Sequence, residues 1–230
     1  MKLTKLKIVQ MVLSAIDSDD VSSISDTVES EQVAVLVDTI YDDLNGEFPW
    51  PHLRTEGVLE VTTVPHIMKL PQSVLTINNI YYKKEPITYI EPEEMTTLLF
   101  ERDTTLTNVD SNGAYSDRDP RYWTSYNDTD IVFDSYNGSL VEALSYTDVY
   151  RTPTPMLNDN DYPDMPDRFH NIIFQGACAD AMYSLKGDVT GFNIWRNRYK
   201  QNKATMDRWA KRVNRQSSTG KNVDFGRKAR

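Results

Sequence analysis

The sequence predicts an α+β protein in which terminal helices form a four-helix bundle and a β-rich insertion lies between them. Three observations carry that reading. Apolar residues recur at helical spacing near both ends of the chain. The middle consists of short β-branched and aromatic runs punctuated by Pro and Asn. A connector rich in Pro and Asp precedes the return of the helical pattern. The expected organisation is a helical pair over 1–56, an insertion over 57–151, a connector over 152–167, a second helical pair over 168–214 and a flexible tail over 215–230.

Leu3, Leu6, Val9, Leu13 and Ile16 recur at three- and four-residue steps, which predicts a helix over 3–16 with one buried face. Val33, Leu36, Val37, Ile40, Tyr41 and Leu44 form the stripe of a second helix over 29–45, and Asn45-Gly46 supply its stop. Phe48-Pro49-Trp50-Pro51 forces an extended exit, because proline restricts the residue before it. Val58–Val64, Ile67–Leu70, Val74–Tyr82 and Pro86–Ile90 read as strands of a small antiparallel sheet. Glu91–Arg102 reads as a short helix, with Pro92 and two glutamates in its first turn. Residues 103–120 are loop-like. Arg121–Tyr126 and Thr129–Phe133 form a hairpin, and 140–151 adds a strand.

After the connector, Asp167 is placed to cap a helix over 168–186, whose inner face carries Phe169, Ile172, Ile173, Gly176, Ala177 and Met182. Gly187-Asp188 breaks it. The last helix, over 190–214, keeps a 3-4 stripe of Phe192, Trp195, Tyr199, Asn202, Met206, Trp209 and Val213. Residues 215–230 lack periodicity and are expected to be disordered in the isolated protein.

Charge is unevenly distributed. Asp188–Arg230 holds 12 basic and 3 acidic residues, a net of +9, whereas 1–187 holds 13 basic and 31 acidic residues, a net of −18. Such asymmetry marks an interaction surface, with nucleic acid or the acidic surface of a neighbouring copy as the partner for the basic end. In the last helix, Arg196, Lys200, Lys203, Arg208, Lys211 and Arg212 occupy the faces left by the apolar stripe and form a candidate intersubunit or channel face. The tail carries Arg215, Lys221, Arg227, Lys228 and Arg230 around one large apolar group, Phe225. A solubilising tail needs no aromatic, so these six residues are read as a partner-docking segment.

Nothing in the sequence favours catalysis. There is no Gly-x-Ser-x-Gly, no phosphate-binding loop and no dinucleotide fingerprint. His52, His66 and His170 fall in separate regions, and the single cysteine, Cys178, lies in an apolar helical run as a small buried hydrophobe. The acidic loop Asp159–Asp167 lacks the glycine and terminal glutamate of a calcium loop and reads as solvated. No cofactor is expected. No apolar run approaches the ~20 residues of a membrane span, and the basic, amphipathic opening helix is no secretion signal.

Two segments carry a resemblance. DPRYWTSYNDTDIVFDSYNGSLVEAL, Asp119–Leu144, resembles a block of tailed-phage head-to-tail adaptor, or connector, proteins, in which Trp-Thr-Ser-Tyr/Phe precedes an Ile-Val-Phe-Asp-Ser strand. YPDMPDRFHNIIFQGACADAMY, Tyr162–Tyr183, is similar to the Leu/Met-Pro-x-x-Phe helix start of the same proteins, which include tail tubular protein A of short-tailed phages. The resemblance implies a non-enzymatic virion protein of the neck, made in the host cytoplasm. It also implies a homo-oligomeric ring, commonly of twelve copies, docked under the portal protein, with a tail or nozzle protein below and DNA passing through the channel. A sequence-independent DNA-binding protein and a tail-associated cell-wall hydrolase are the competing classes. The strongly acidic 1–187 segment argues against the first, and the lack of a recognisable carboxylate pair against the second.

Overall fold

The computed structural model describes residues 2–227 except 84, 128 and 138–143, and for 61, 144–147 and 215–227 it describes the backbone alone. Among the described residues five helices form: α1 (Lys5–Ala15), α2 (Val28–Gly46), α3 (Pro92–Phe100), α4 (His170–Ser184) and α5 (Val189–Arg227). Eight strands form among them: β1 (Arg54–Gly57), β2 (Glu60–Val61), β3 (Ile67–Lys69), β4 (Val74–Tyr82), β5 (Glu85–Tyr89), β6 (Tyr122–Ser125), β7 (Asp130–Phe133) and β8 (Leu144–Arg151). The chain divides into two compact units, Met1–His52 with Pro153–Arg230, and Leu53–Thr152.

In the helical unit, α1, α2 and α4 pack against one another, and α5 packs along α4. The result is a three-helix core with a fourth helix laid on one member. Ile8, Val9, Val12 and Leu13 of α1 meet Val33, Val37, Tyr41 and Leu44 of α2 and Ile172, Ile173 and Ala177 of α4 in its interior. Gly176 is where α5 also approaches α2. A Cβ there would lie 2.8 Å from the Ile40 Cγ2 and 3.2 Å from the Tyr199 ring, so only glycine permits this convergence.

The helix ends follow local chemistry. The Thr4 hydroxyl accepts the Lys7 N–H, and Thr27 and Ser30 form a reciprocal capping box at the start of α2. Gly187, at φ +64°, ends α4, and the Asp188 carboxylate then accepts the Thr190 and Gly191 N–H groups at 2.9 and 3.0 Å to start α5. Asp167 does not cap α4 as expected: it lies in a 3-10 turn, Asp167–Phe169, that leads into the helix without a side-chain cap. Nor does α5 end at Asn214. Its helical backbone continues to Arg227, through the segment expected to be disordered.

The connector is ordered as part of this unit. Its Asp161 and Asp159 carbonyls accept the Lys5 and Leu6 N–H groups at 2.8 and 3.0 Å, satisfying donors that the first turn of α1 cannot satisfy itself. Its aspartates, expected to be solvated, mostly cap backbone. Asp161 accepts the Leu157 and Asn158 N–H groups, and Asp164 accepts that of Thr154. The Tyr41 hydroxyl donates to the Thr154 carbonyl at 2.9 Å.

The β unit is a sheet in the order β1-β8-β4-β5-β6-β7-β3-β2, antiparallel throughout except for the β5–β6 pair. α3 lies in the β5-to-β6 crossover, which a parallel connection requires. Leu59, Met68, Ile80, Tyr82, Ile87, Trp123, Ile131 and Phe133 form its core. The expected strand over 58–64 shrinks to Glu60–Val61, and β1 forms earlier, within the stretch assigned to the helical pair. A salt bridge explains the position of β1. The Arg54 guanidinium grips the Asp148 carboxylate of β8 with two nitrogens, and Asn78 of β4 donates to the same carboxylate at 2.8 Å. Polar pairing across three strands gives no hydrophobic alternation to read.

The stripe of α5 is mixed in depth. Tyr199, Met206 and Ala210 are buried, Phe192, Trp195, Trp209 and Val213 are half-buried, and Asn202 is exposed and bonded to Gln175 at 2.8 Å. Trp209 stacks on His52 at a ring distance of 6.3 Å and meets Phe169 in a tilted contact at 5.2 Å. Because its ring stays partly wet, Trp209→Ala is expected to cost about 2–3 kcal/mol, less than the ~3–5 kcal/mol of a fully buried aromatic, as read from urea midpoints. A second pair of variants probes Lys5, whose buried ammonium contacts the Asp38 carboxylate at 2.7 Å and the Met156 carbonyl at 2.9 Å. Asp38→Asn strands that charge and is expected to cost ~2–4 kcal/mol, whereas Lys5→Met removes it and should cost under ~1.5 kcal/mol. The reverse order of stabilities would contradict this.

Candidate partner-binding surfaces

The basic residues of α5 divide into two sets. Arg196 and Lys203 are used within the subunit. Arg196 lies 5.2 Å from the Tyr199 ring centre and near Asp180, whose carboxyl is pushed up by burial against that arginine's pull. Lys203 pairs with Glu47 next to the end of α2. The other four, Lys200, Arg208, Lys211 and Arg212, are exposed. Arg208 lies along its own helix, with Nε donating to the Ala204 carbonyl and an Nη to the Thr205 hydroxyl, both at 3.1 Å. Arg198 joins the exposed set, 4.7 Å over the Trp195 ring. Of the six basic residues singled out in the sequence, four are thus exposed, one pairs with an acid of its own unit and one lies over the Tyr199 ring.

Of the docking segment, Arg215, Lys221, Phe225 and Arg227 belong to the last turns of α5, where only the backbone is described, and Lys228 and Arg230 lie outside the described residues. A helical backbone there was not legible, since Ser217-Ser218-Thr219-Gly220 are poor helix formers.

A polar centre in the β unit has no counterpart in the sequence reading. Asp134 is 4% exposed, and its carboxylate accepts the Arg121 and Tyr122 N–H groups at 2.9 Å each. Arg102 approaches the same carboxylate at 3.3 Å and donates to the Gly113 carbonyl at 3.0 Å. Tyr115 is covered by two guanidinium groups, Arg102 at 4.3 Å and Arg118 at 3.5 Å. These bonds tie the long 103–120 segment to the sheet. The hydrogen-bonded partners are 11 to 32 positions apart, a spacing that no local motif records.

The remaining titratable groups are structural. His66 lies 3.0 Å from the Asp110 carboxylate, with burial pushing its pKa down. Cys178 is buried, and its thiol is pushed well above the ordinary range by desolvation. Among the described residues no group of three or more His, Cys, Asp or Glu could hold a metal ion, and no helix is long and apolar enough to cross a membrane.

A long helix with an exposed, basic outer face, laid on a small helical core, defines a scaffold whose distinctive chemistry lies on its surface. The comparison with known families agrees with that class. The profile of the SU10 adaptor protein family matches residues 8–222, nearly the whole chain, and the chain belongs to that family. It is thus a phage structural adaptor. No curated protein matches the chain.

His170 supplies a pH test of the helical unit. Its Nδ1 accepts the Leu3 N–H at 3.1 Å and its Nε2 lies 3.2 Å from the Met165 carbonyl, so the neutral ring satisfies both neighbours. Burial lowers its pKa. A depressed histidine pKa means that the unfolded chain takes up a proton, near its ordinary pKa of about 6.5, before the folded chain does. Stability is therefore full above that pH and falls as pH drops through it. His170→Gln should be less stable at neutral pH yet lose less on acidification to about pH 5.5. Parallel melting curves would contradict this.

Proposed function

We propose that the chain is a head-to-tail adaptor of the virion neck, assembling as a ring beneath the portal protein, continuing the DNA channel and offering a docking surface to a tail or nozzle protein. The observation that carries the reading is the family match along the whole helix–sheet–helix order of the chain. The surface chemistry supports it. A ring adaptor needs unlike surfaces that meet head to tail, and this chain separates a net of +9 in its last 43 residues from −18 in the rest. The helical termini form the ring body, as the four-helix arrangement of such adaptors implies, and the β unit contacts tail parts. The resemblance to tail tubular protein A favours twelve copies.

The end of α5 is the proposed portal contact. Phe225 fills a pocket while Arg215, Lys221, Arg227, Lys228 and Arg230 pair with surrounding carboxylates. Arg196, Lys200, Lys203, Arg208, Lys211 and Arg212 belong to the ring body, where DNA passes without sequence readout. A dedicated DNA-binding protein is the weaker reading, because residues 1–187 carry a net charge of −18 and Lys203 already pairs with Glu47. Such a protein would show steep salt-dependent affinity as a monomer.

Removing residues 216–230 is expected to leave the melting temperature of the helical unit within a degree or two of the parent and to weaken portal binding at least tenfold in co-sedimentation. Phe225→Ala should reproduce most of that loss. Undiminished binding by the truncated chain would move the portal contact elsewhere on the protein.

A further inference from the structure

The outer faces of α2 and α5 carry the same spacing. On α2, Val28, Gln32, Val35, Thr39, Asp42 and Gly46 are all exposed and follow a 4-3-4-3-4 step. On α5, Ile194, Arg198, Gln201, Thr205, Arg208 and Arg212 are all exposed and follow the same step. Such a repeat holds one seam of a helix toward a partner helix. Both seams begin apolar and carry charge near their far end, at Asp42 and at Arg208. Val28 and Val35 are 72% and 63% exposed and Ile194 is 50% exposed. Val28 to Asp42 and Ile194 to Arg208 are each fourteen residues, an axial separation of about 21 Å on either helix.

We propose that α2 of one copy packs parallel to α5 of the next, with the seams in register: Val28 beside Ile194, Val35 beside Gln201 and Asp42 beside Arg208. This rests on the adaptor reading above and names its copy-to-copy contact. The occupant of each seam is a second copy because the two seams complement each other within one chain. The acids at the α2 end, Asp42 and Asp43, meet the exposed Arg208, Lys211 and Arg212. A contact between unlike faces of identical chains is heterologous and generates a ring when its rotation closes. Crowding supports the assignment. Asp42 has its pKa raised, first by partial desolvation and then by the like charges of Asp38 and Asp43, and arginines of a neighbouring copy would offset the like-charge part. Because α4 packs against both α2 and α5, each copy presents both seams from one rigid core.

The test is a charge swap on the full chain. Asp42→Lys with Asp43→Lys reverses the first seam, and Arg208→Glu with Arg212→Glu reverses the second. Sedimentation velocity should show concentration-dependent association of the parent, at least tenfold weaker association of either variant alone, and recovery in their equimolar mixture. Val35→Asp alone should also weaken association about tenfold. Melting temperatures near the parent's would confirm that the variants fold, and recovery in the mixture cannot come from unfolded chains. A parent that stays monomeric to millimolar concentration, variants that associate like the parent, or a mixture that fails to recover each overturns the proposal. Portal co-sedimentation separates the two failures. A wrong seam leaves portal binding and ring assembly of the variants intact, whereas a wrong adaptor reading leaves no chain, parent or variant, bound to portal.

Discussion

The ammonium of Lys5 sits in the first turn of α1, 8% exposed, between the Asp38 carboxylate and the Met156 carbonyl. A buried cation is tolerable only where such partners are fixed. Here they come from α2 and from the connector, about thirty and one hundred and fifty residues away along the chain. The neighbouring contacts repeat the pattern. Connector carbonyls close the start of α1, and His170 at the start of α4 accepts the Leu3 N–H. The helical unit is thus made from chain ends that must meet before any of these groups is satisfied. A whole β unit, Leu53–Thr152, stands between them in the sequence and supplies none of these contacts.

The same core decides which side of α5 is wet. Tyr199, Met206 and Ala210 are committed to the interior, and Asn202 meets Gln175 on α4. The faces that remain carry the basic residues. Lys203 pairs with Glu47, Arg196 lies over the Tyr199 ring, and Lys200, Arg208, Lys211 and Arg212 are exposed. Electrostatics at such a surface guides encounter and register more than it adds affinity.

Much of this was legible in the residues. The stripes of α1, α2 and α4 and the run Val74–Tyr82 announce their elements because one period dominates each. β1 was hidden because Arg54, Thr55 and Glu56 are held by a salt bridge and ladder bonds rather than by apolar alternation. The connector read as solvated because carboxylates that cap backbone N–H groups look, in sequence, like carboxylates in water. Asp167 matched a capping pattern, yet a 3-10 turn took its place. The candidate surface was visible as a count of charges. Which lysines and arginines remain exposed depended on Asp180 and Glu47, whose positions only the packing of α4 and α2 determines.

The chain is a member of the SU10 adaptor protein family. The account stands most directly on where the protein lies in the particle. Electron cryomicroscopy of purified virions, with the helical and β units fitted separately, should show both units repeated around the channel immediately below the portal, with the end of α5 against portal density. Particles with complete necks in which neither unit fits that density would contradict the account.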